Sequence, residues 1–392
     1  MQARRLRHIS PFRVVELLER AKVLEEAGHR VVHFEVGEPD FPTAAPIVQA
    51  AHRALDAGAT KYTQALGIPE LRRRIARHYH DTSGMDLSAE RVVVTAGASG
   101  ALLLLSALLL DPDDELLLTD PGYPCNDAFV HLVNGMPVRV PAGAEQGFRL
   151  DAEAVAQAWS ASTRGLLVAS PANPTGVVLD AAALGNLADV VRARDGFLVL
   201  DEIYQGLTFA GPGTAPSRSV LAVADEAYVL NSFSKYFGMT GWRLGWMVVP
   251  EAQVEAVARL AQNLFISPSS LAQHAALAAF EPEAMAIHES RRQAFGRRLT
   301  LMCDGLEALG FTIPVRPGGA FYVYVDVSHT GLEAVDFCWK LLEEHRVAAT
   351  PGIDFGSLAA ERFVRFAFTT GEESITLGLE RIAAALRAWD VG

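Results

Sequence analysis

The chain has 392 residues, half of them apolar and 20% charged, with a formal net charge of −12. That length exceeds one typical core, so two lobes are expected, and the apolar content is that of a packed protein rather than a disordered one. The acidic balance argues against nucleic acid as a general partner, since no basic field is available to displace phosphate counterions, and the short run Arg4, Arg5, Arg7 does not reverse it.

In chain order, the apolar spacing of Val14, Val15, Leu17, Leu18, Ala21 and Leu24 predicts a helix over 11–27, closed by Gly28. No positively charged and apolar leader precedes Ser10, so a cytoplasmic protein is expected. Residues 31–36 read as a short strand. From about residue 44 to 250, strands are predicted at 91–95, 115–119, 165–169, 197–201, 227–231 and 244–249. Helices are predicted at 99–110, 124–134, 180–193 and 251–264. Such alternation implies an α/β lobe with a mostly parallel sheet sandwiched by helices. The apolar run 101–110 is about half of a bilayer span and reads as a buried helix, so no membrane partner is expected.

The remainder reads differently: a long helix over 282–309, strands at 321–325 and 363–367, and helices at 332–344 and 373–388. This predicts a smaller α+β lobe, made of 1–44 and 282–392, beside a large lobe at 45–281. Cys125, Cys303 and Cys338 fit neither a disulfide framework nor a metal-binding spacing.

Several polar residues fall where predicted strands end, the place at which open parallel sheets collect ligands. The segment 95–100 (TAGASG) is either a plain turn or a phosphate-binding loop at a helix start. Asp201, closing an apolar strand, either caps the next turn or faces a cation. Lys235 is one of only four lysines, and its neighbours are serines and aromatics, which is unusual for a surface lysine. An amine in such a restricted site can lose its proton and attack a carbonyl. The dinucleotide fingerprint Gly-x-Gly-x-x-Gly is absent, which disfavours a nicotinamide cofactor.

Taken together, VGEPDFPT (36–43), KYTQALGIPELR (61–72), TAGASGAL (95–102), DPGYP (120–124), SPANPTG (170–176), DEIY (201–204) and SFSKYFGMTGWRLG (232–245) resemble the class I/II aminotransferases. The likeness continues through GGAFYVYVD (318–326), TPGIDFG (350–356) and RFVRFAF (362–368), so it spans nearly the whole chain. It implies the fold-type I architecture, pyridoxal 5'-phosphate (PLP) as cofactor, and transfer of an amino group from an L-amino acid to a 2-oxo acid by a ping-pong mechanism.

The resemblance also implies roles. Lys235 carries the cofactor and shuttles a proton, Asp201 pairs with the ring nitrogen, Asn173 and Tyr204 donate to the ring oxygen, and Tyr123 stacks on the ring. Ala98, Ser99, Ser232, Arg243 and Ser234 would cradle the phosphate. Arg365 would grip the substrate carboxylate, with Gly37 and Asn173 also binding substrate. Tyr62 would reach the phosphate of a neighbouring subunit, making the enzyme a homodimer with shared sites.

Ser99 stands where an aspartate-using branch often has a lysine, which disfavours a strict aspartate enzyme. Phe12, Tyr123, Phe265 and Phe321 are candidates for an apolar side-chain pocket. The rival function on the same fold is a PLP-dependent lyase. A ligand-sensing regulator is disfavoured because no room for a DNA-binding domain precedes the fold.

Overall fold

The computed structural model describes residues 2–9, 11–209 and 218–390; residues 1, 10, 210–217, 391 and 392 of the expected lobes lie outside the described residues. The first elements are helix α1 (Arg13–Glu26), a short strand β1 (Val32–His33), and helices α2 (Ala45–Asp56) and α3 (Pro69–Ser83). A seven-stranded sheet follows, built from β2 (Val92–Thr95), β3 (Glu115–Asp120), β4 (Met136–Pro141), β5 (Thr163–Ala169), β6 (Phe197–Asp201), β7 (Tyr228–Ser232) and β8 (Gly245–Val248). Its connections carry α4 (Gly97–Leu109), α5 (Cys125–Leu132), α6 (Ala152–Ala158) and α7 (Ala181–Arg192).

The spatial order is β2-β8-β7-β6-β5-β3-β4. Only β8 runs against its neighbours, and the other pairings are parallel. The strands are apolar on both sides because both faces are covered. Val92, Val94, Leu198 and Leu200 enter one core, whereas Val93 and Val199 between them enter another.

Beyond the sheet come α8 (Val254–Leu264), α9 (Ser270–Leu277) and the long α10 (Pro282–Ala308). The last stretch holds β9 (Tyr322–Asp326), α11 (Ala334–His345), β10 (Val347–Ala348), β11 (Thr350–Pro351), β12 (Phe363–Ala367) and α12 (Glu372–Ala388). Strands β11, β12 and β9 form an antiparallel sheet, and β1 pairs in parallel with β10. The i, i+4, i+7 stripe of α1 (Leu17, Ala21, Leu24) shares a third core with Val323, Val325, Val364 and Phe366.

Two departures from the expected elements have physical causes. The segment 136–141 is a strand despite Pro137 and Pro141, because it pairs only with β3 at the edge, where a missing N–H is tolerated. The expected strand over 31–36 shrinks to two residues. Its later backbone groups serve side chains instead: the Glu35 carbonyl accepts from Arg365 and Thr350, and the Val36 carbonyl accepts from Thr369. Helices α2, α3, α6 and α9 add to those expected.

One glycine fixes how closely β8 approaches the loop after β2. A Cβ on Gly245 would stand 2.8 Å from the Asn231 carbonyl oxygen, 2.9 Å from the Gly97 carbonyl carbon and 3.0 Å from the Ala98 nitrogen. All three are backbone atoms and none can rotate away. Gly245→Ala is therefore expected to lower stability by about 1–3 kcal/mol, read as a lower urea midpoint at an unchanged slope. An unaltered midpoint would show that this approach is not constrained.

Candidate active site

The carboxyl ends of β5, β6 and β7 and the start of the reversed β8 meet on one side of the sheet. A cavity of about 550 Å³ opens there, the size of a small-molecule site. Ala169, Asp201 and Ser232 enter it from the last residues of their strands.

Lys235, three residues past β7, is half-buried and lines the cavity. Its Nζ donates to the Gly37 carbonyl oxygen at 2.6 Å. Burial pushes its pKa down to about 8, and the guanidinium groups of Arg365 and Arg243 push the same way. At pH 7 the amine is still mostly protonated, but its neutral, nucleophilic form is far more accessible than that of an ordinary lysine. Asp201 is displaced oppositely. Burial raises its carboxyl to about 6, opposed by the Ile203 N–H that donates to Oδ1 at 3.0 Å and by Lys235. A carboxylate so enclosed is stabilised by a cation placed against it.

A second group of residues suits an anion. Helix α4 begins at Gly97 without a side-chain cap, leaving its first N–H groups free beside Ala98 and Ser99. The Ser232 hydroxyl donates to the Ser234 hydroxyl at 2.9 Å and accepts the Ser234 N–H at 3.0 Å. Arg243, at φ 53, sits in the left-handed region unusual for a residue with a Cβ. Its guanidinium lies so near the loop that a Cβ on Gly97 would stand 2.9 Å from Nη2.

Opposite the sheet, the buried Arg365 reaches in from β12. Nη1 donates to Asn173 Oδ1 at 3.0 Å, Nη2 donates to the Glu35 carbonyl at 2.7 Å, and Nε is buried without a partner. The guanidinium also lies over the Tyr322 ring, 4.3 Å from its centroid. Tyr322 and Tyr204 share a hydrogen bond between their hydroxyls at 2.9 Å. Burial raises the Tyr204 phenol well above its ordinary pKa, and burial also raises that of Tyr123, so both are neutral hydroxyls at physiological pH.

The cavity thus brings together Gly37, Ala98, Ser99, Tyr123, Asn173, Asp201, Tyr204, Ser232, Ser234, Lys235, Arg243 and Arg365. Tyr62 is not among them and is 83% exposed. Tyr322 lines the cavity but was not singled out from the sequence, although alternation along β9 marks it as facing the same way as Tyr324 and away from Val323. Also missed was a wall of three aliphatic residues from α1, Val14, Val15 and Leu18, whose periodicity signalled only a helix. Of the four aromatics considered for an apolar pocket, only Tyr123 lines the cavity. Phe321 is fully buried in the core beneath β9, Phe12 lines a neighbouring cavity, and Phe265 packs against the core around α4 and α8. Among the described residues no group of three or more His, Cys, Asp or Glu side chains is placed to hold a metal, and no helix is long and apolar enough to cross a membrane.

Fold and site together define an α/β enzyme with a buried amine, a buried carboxylate and an anion cradle in one cavity. The family described as aminotransferase class I and II matches residues 29–382. The chain is 37% identical over 379 residues to the valine–pyruvate aminotransferase of Mycobacterium tuberculosis, covering 96% of this chain and 97% of that one. An aminotransferase structure from the same organism superimposes with a TM-score of 0.94 at 36% identity, covering 99% of both chains. The aspartate aminotransferase of Thermus thermophilus, solved with maleate, gives 0.92 at 37% identity, covering 98% of this chain and all of that one. The chain belongs to the class I and II aminotransferases and has their fold-type I architecture. Its activity is amino-group transfer, and nothing in these likenesses points to the rival lyase reading.

The depressed pKa of Lys235 has a consequence for stability. Between about pH 8 and the ordinary lysine value of 10.5, the unfolded chain binds more protons at this residue than the folded chain, so stability rises with pH across that window. Lys235→Met keeps most of the side-chain volume and removes the charge. It is expected to stabilise the unliganded chain by about 1–3 kcal/mol at pH 7, with the gain gone by about pH 10.5. Urea unfolding of both proteins across that range tests this, and a gain independent of pH would contradict it.

Proposed function

We propose that this aminotransferase uses PLP bound covalently at Lys235, and carries the amino group of an L-amino acid to a 2-oxo acid in two half-reactions. It works as a cytoplasmic homodimer of two-lobed subunits, with residues 45–281 in the large lobe and 1–44 with 282–392 in the small one. The observation that carries this reading is Lys235, an amine displaced toward its neutral form in the same cavity as a buried carboxylate and a ready anion site.

The residues present fit the cofactor. Asp201 offers a buried carboxylate for the cationic ring nitrogen, and the raised value of its carboxyl is what an enclosed carboxylate shows before a cation is placed against it. The free α4 N–H groups, the hydroxyls of Ser99, Ser232 and Ser234, and Arg243 form a donor set suited to a phosphate dianion. Any side chain at Gly97 would fill the space beside that guanidinium. When bound, PLP supplies an electron sink for the charge left at the substrate Cα.

The remaining steps belong to the chain. Lys235 holds the cofactor and later moves the proton at the substrate Cα. Asp201 keeps the ring nitrogen protonated, Tyr123 covers the ring, and Asn173 and Tyr204 donate to the ring oxygen, with Tyr322 orienting the Tyr204 hydroxyl. Arg365, already held by Asn173 and the Glu35 carbonyl, has an unpartnered Nε for the substrate carboxylate, and Gly37 lets the substrate approach the backbone closely. The dimer is supported by exposed Tyr62 (83%), Leu264 (49%) and Ile266 (54%). They flank segments tied together by the Thr63 N–H donating to the Ser267 hydroxyl at 3.4 Å. Exposed apolar side chains so grouped mark an association surface.

The purified protein is expected to be yellow, or to become so with added PLP, and certain L-amino acids should bleach the colour without any acceptor. Lys235→Ala should abolish turnover. A colourless protein that cannot be reconstituted would overturn the reading. Arg365→Lys should keep the colour but raise the amino-acid concentration needed for half-maximal bleaching by about 10–100-fold, the loss of a charge-assisted fork. An unchanged concentration would place the carboxylate elsewhere.

A further inference from the structure

Helix α1 carries more apolar surface than its packing requires. Leu17, Ala21 and Leu24 are buried in the core shared with β9 and β12. One step around the helix, Val14 and Leu18 stand four residues apart and line the active-site cavity together with Val15, which is 44% exposed. Side chains three or four apart are neighbours on a helix, and Leu18 is four from Val14 and three from Val15, so these three present an apolar wall to whatever enters.

That wall is fixed in place. The Asp354 carboxylate caps α1 from the far end of the chain, accepting the Arg13 N–H at 3.1 Å and the Val14 N–H at 2.9 Å. Arg20 forks onto Glu343 at 2.5 and 2.9 Å, tying the middle of α1 to α11.

The charges around the cavity point the same way. Its lining cations among the described residues are Lys235, Arg243 and Arg365. Lys235 donates to the Gly37 carbonyl, Arg243 lies against the phosphate loop, and Arg365 is held by Asn173 and Glu35. Arg13, at the head of α1, lines the neighbouring cavity instead. The lining carboxylates beyond Asp201 are Glu35, whose Oε1 bonds His33 at 2.7 Å while Oε2 is buried without a partner, and Glu38, which accepts from the Thr240 hydroxyl. From this chain, a second carboxylate on a substrate would meet aliphatic carbon and negative charge, and it would lose its water without a partner.

We propose that the α1 face of Val14, Val15 and Leu18 is the side-chain subsite, and that the preferred amino donors carry apolar side chains, aliphatic or aromatic. This rests on the cofactor reading above. In a hydrophobic pocket even one methylene separates substrates by about tenfold.

The test is the acceptor-free bleaching of the PLP-loaded enzyme with L-leucine, L-valine, L-phenylalanine, L-alanine, L-aspartate and L-arginine, compared as rate per unit concentration. The apolar three are expected to lead L-alanine and L-aspartate by at least about tenfold. Equal or better rates with L-aspartate or L-arginine would overturn the proposal. Bleaching by none of them would remove the underlying half-reaction, and this proposal with it. Leu18→Ala, checked for retained yellow colour, should shrink the leucine-to-alanine ratio by about tenfold, whereas Leu18→Met should largely keep it. If the Ala variant does not take up colour, the Met variant and Val15→Ala carry the comparison. A ratio unmoved by Leu18→Ala and Val15→Ala would place the side chain against another wall.

Discussion

A guanidinium cannot shed its charge, so a buried one must be surrounded by acceptors, and Arg365 is 6% exposed. Its partners come from three distant parts of the chain: Asn173 after β5, the Glu35 carbonyl after β1, and Thr350 in β11. Meeting that requirement draws the N-terminal segment, the large sheet and the small antiparallel sheet to one point. The cost is visible locally, because β1 ends early so that its backbone can serve side chains. Aromatic faces complete the enclosure, with Tyr322 at 4.3 Å and Phe355 at 4.7 Å from the guanidinium carbon.

The loop containing Phe355 extends the same arrangement outward. Its carbonyl accepts from the Gly122 N–H at 2.8 Å and from Arg139 at 2.9 Å, while Asp120 receives the Ser357 N–H and hydroxyl. One residue earlier, Asp354 caps α1. A single loop therefore touches the end of β3, the arginine and the helix that walls the cavity. Displacing it would be felt at the carboxylate grip and at the side-chain wall together.

Inside the cavity, enclosure acts on opposite charges with opposite sign. Burial drives Lys235 down and Asp201 up, so each drifts toward its neutral form. Both displacements follow from desolvation at strand ends that meet in one cavity. The Arg365 Nε, buried without a partner, and the uncapped start of α4 at Ala98 and Ser99 belong to residues lining the same space. A molecule bearing a carboxylate at one end and a phosphate at the other satisfies both.

Much of this was readable in one dimension. The strands ending at Asp201 and Ser232, and the helix beginning near Gly97, were marked by unbroken apolar runs that give way abruptly to small and polar residues. The strand expected at 363–367 is β12, and the long helix expected over 282–309 is α10. Local pattern failed where the determining contact was remote. Pro137 and Pro141 concealed β4 because only the sheet order reveals that it is an edge. Phe321 had the composition of a pocket residue, and burial put it in the core.

By itself, then, the sequence determined the buried strands that lead to the site and most of the long helices, and which short motifs hold an amine, a carboxylate and an anion-binding loop, because those depend on neighbours within a few residues. Tertiary structure alone decided that residues as far apart as Gly37, Asn173 and Arg365 share one cavity, that Lys235 and Asp201 lose their water there, and that an ordinary amphipathic helix offers Val14, Val15 and Leu18 to a substrate. Burial and long-range contact set those properties, and neither is a function of local spacing.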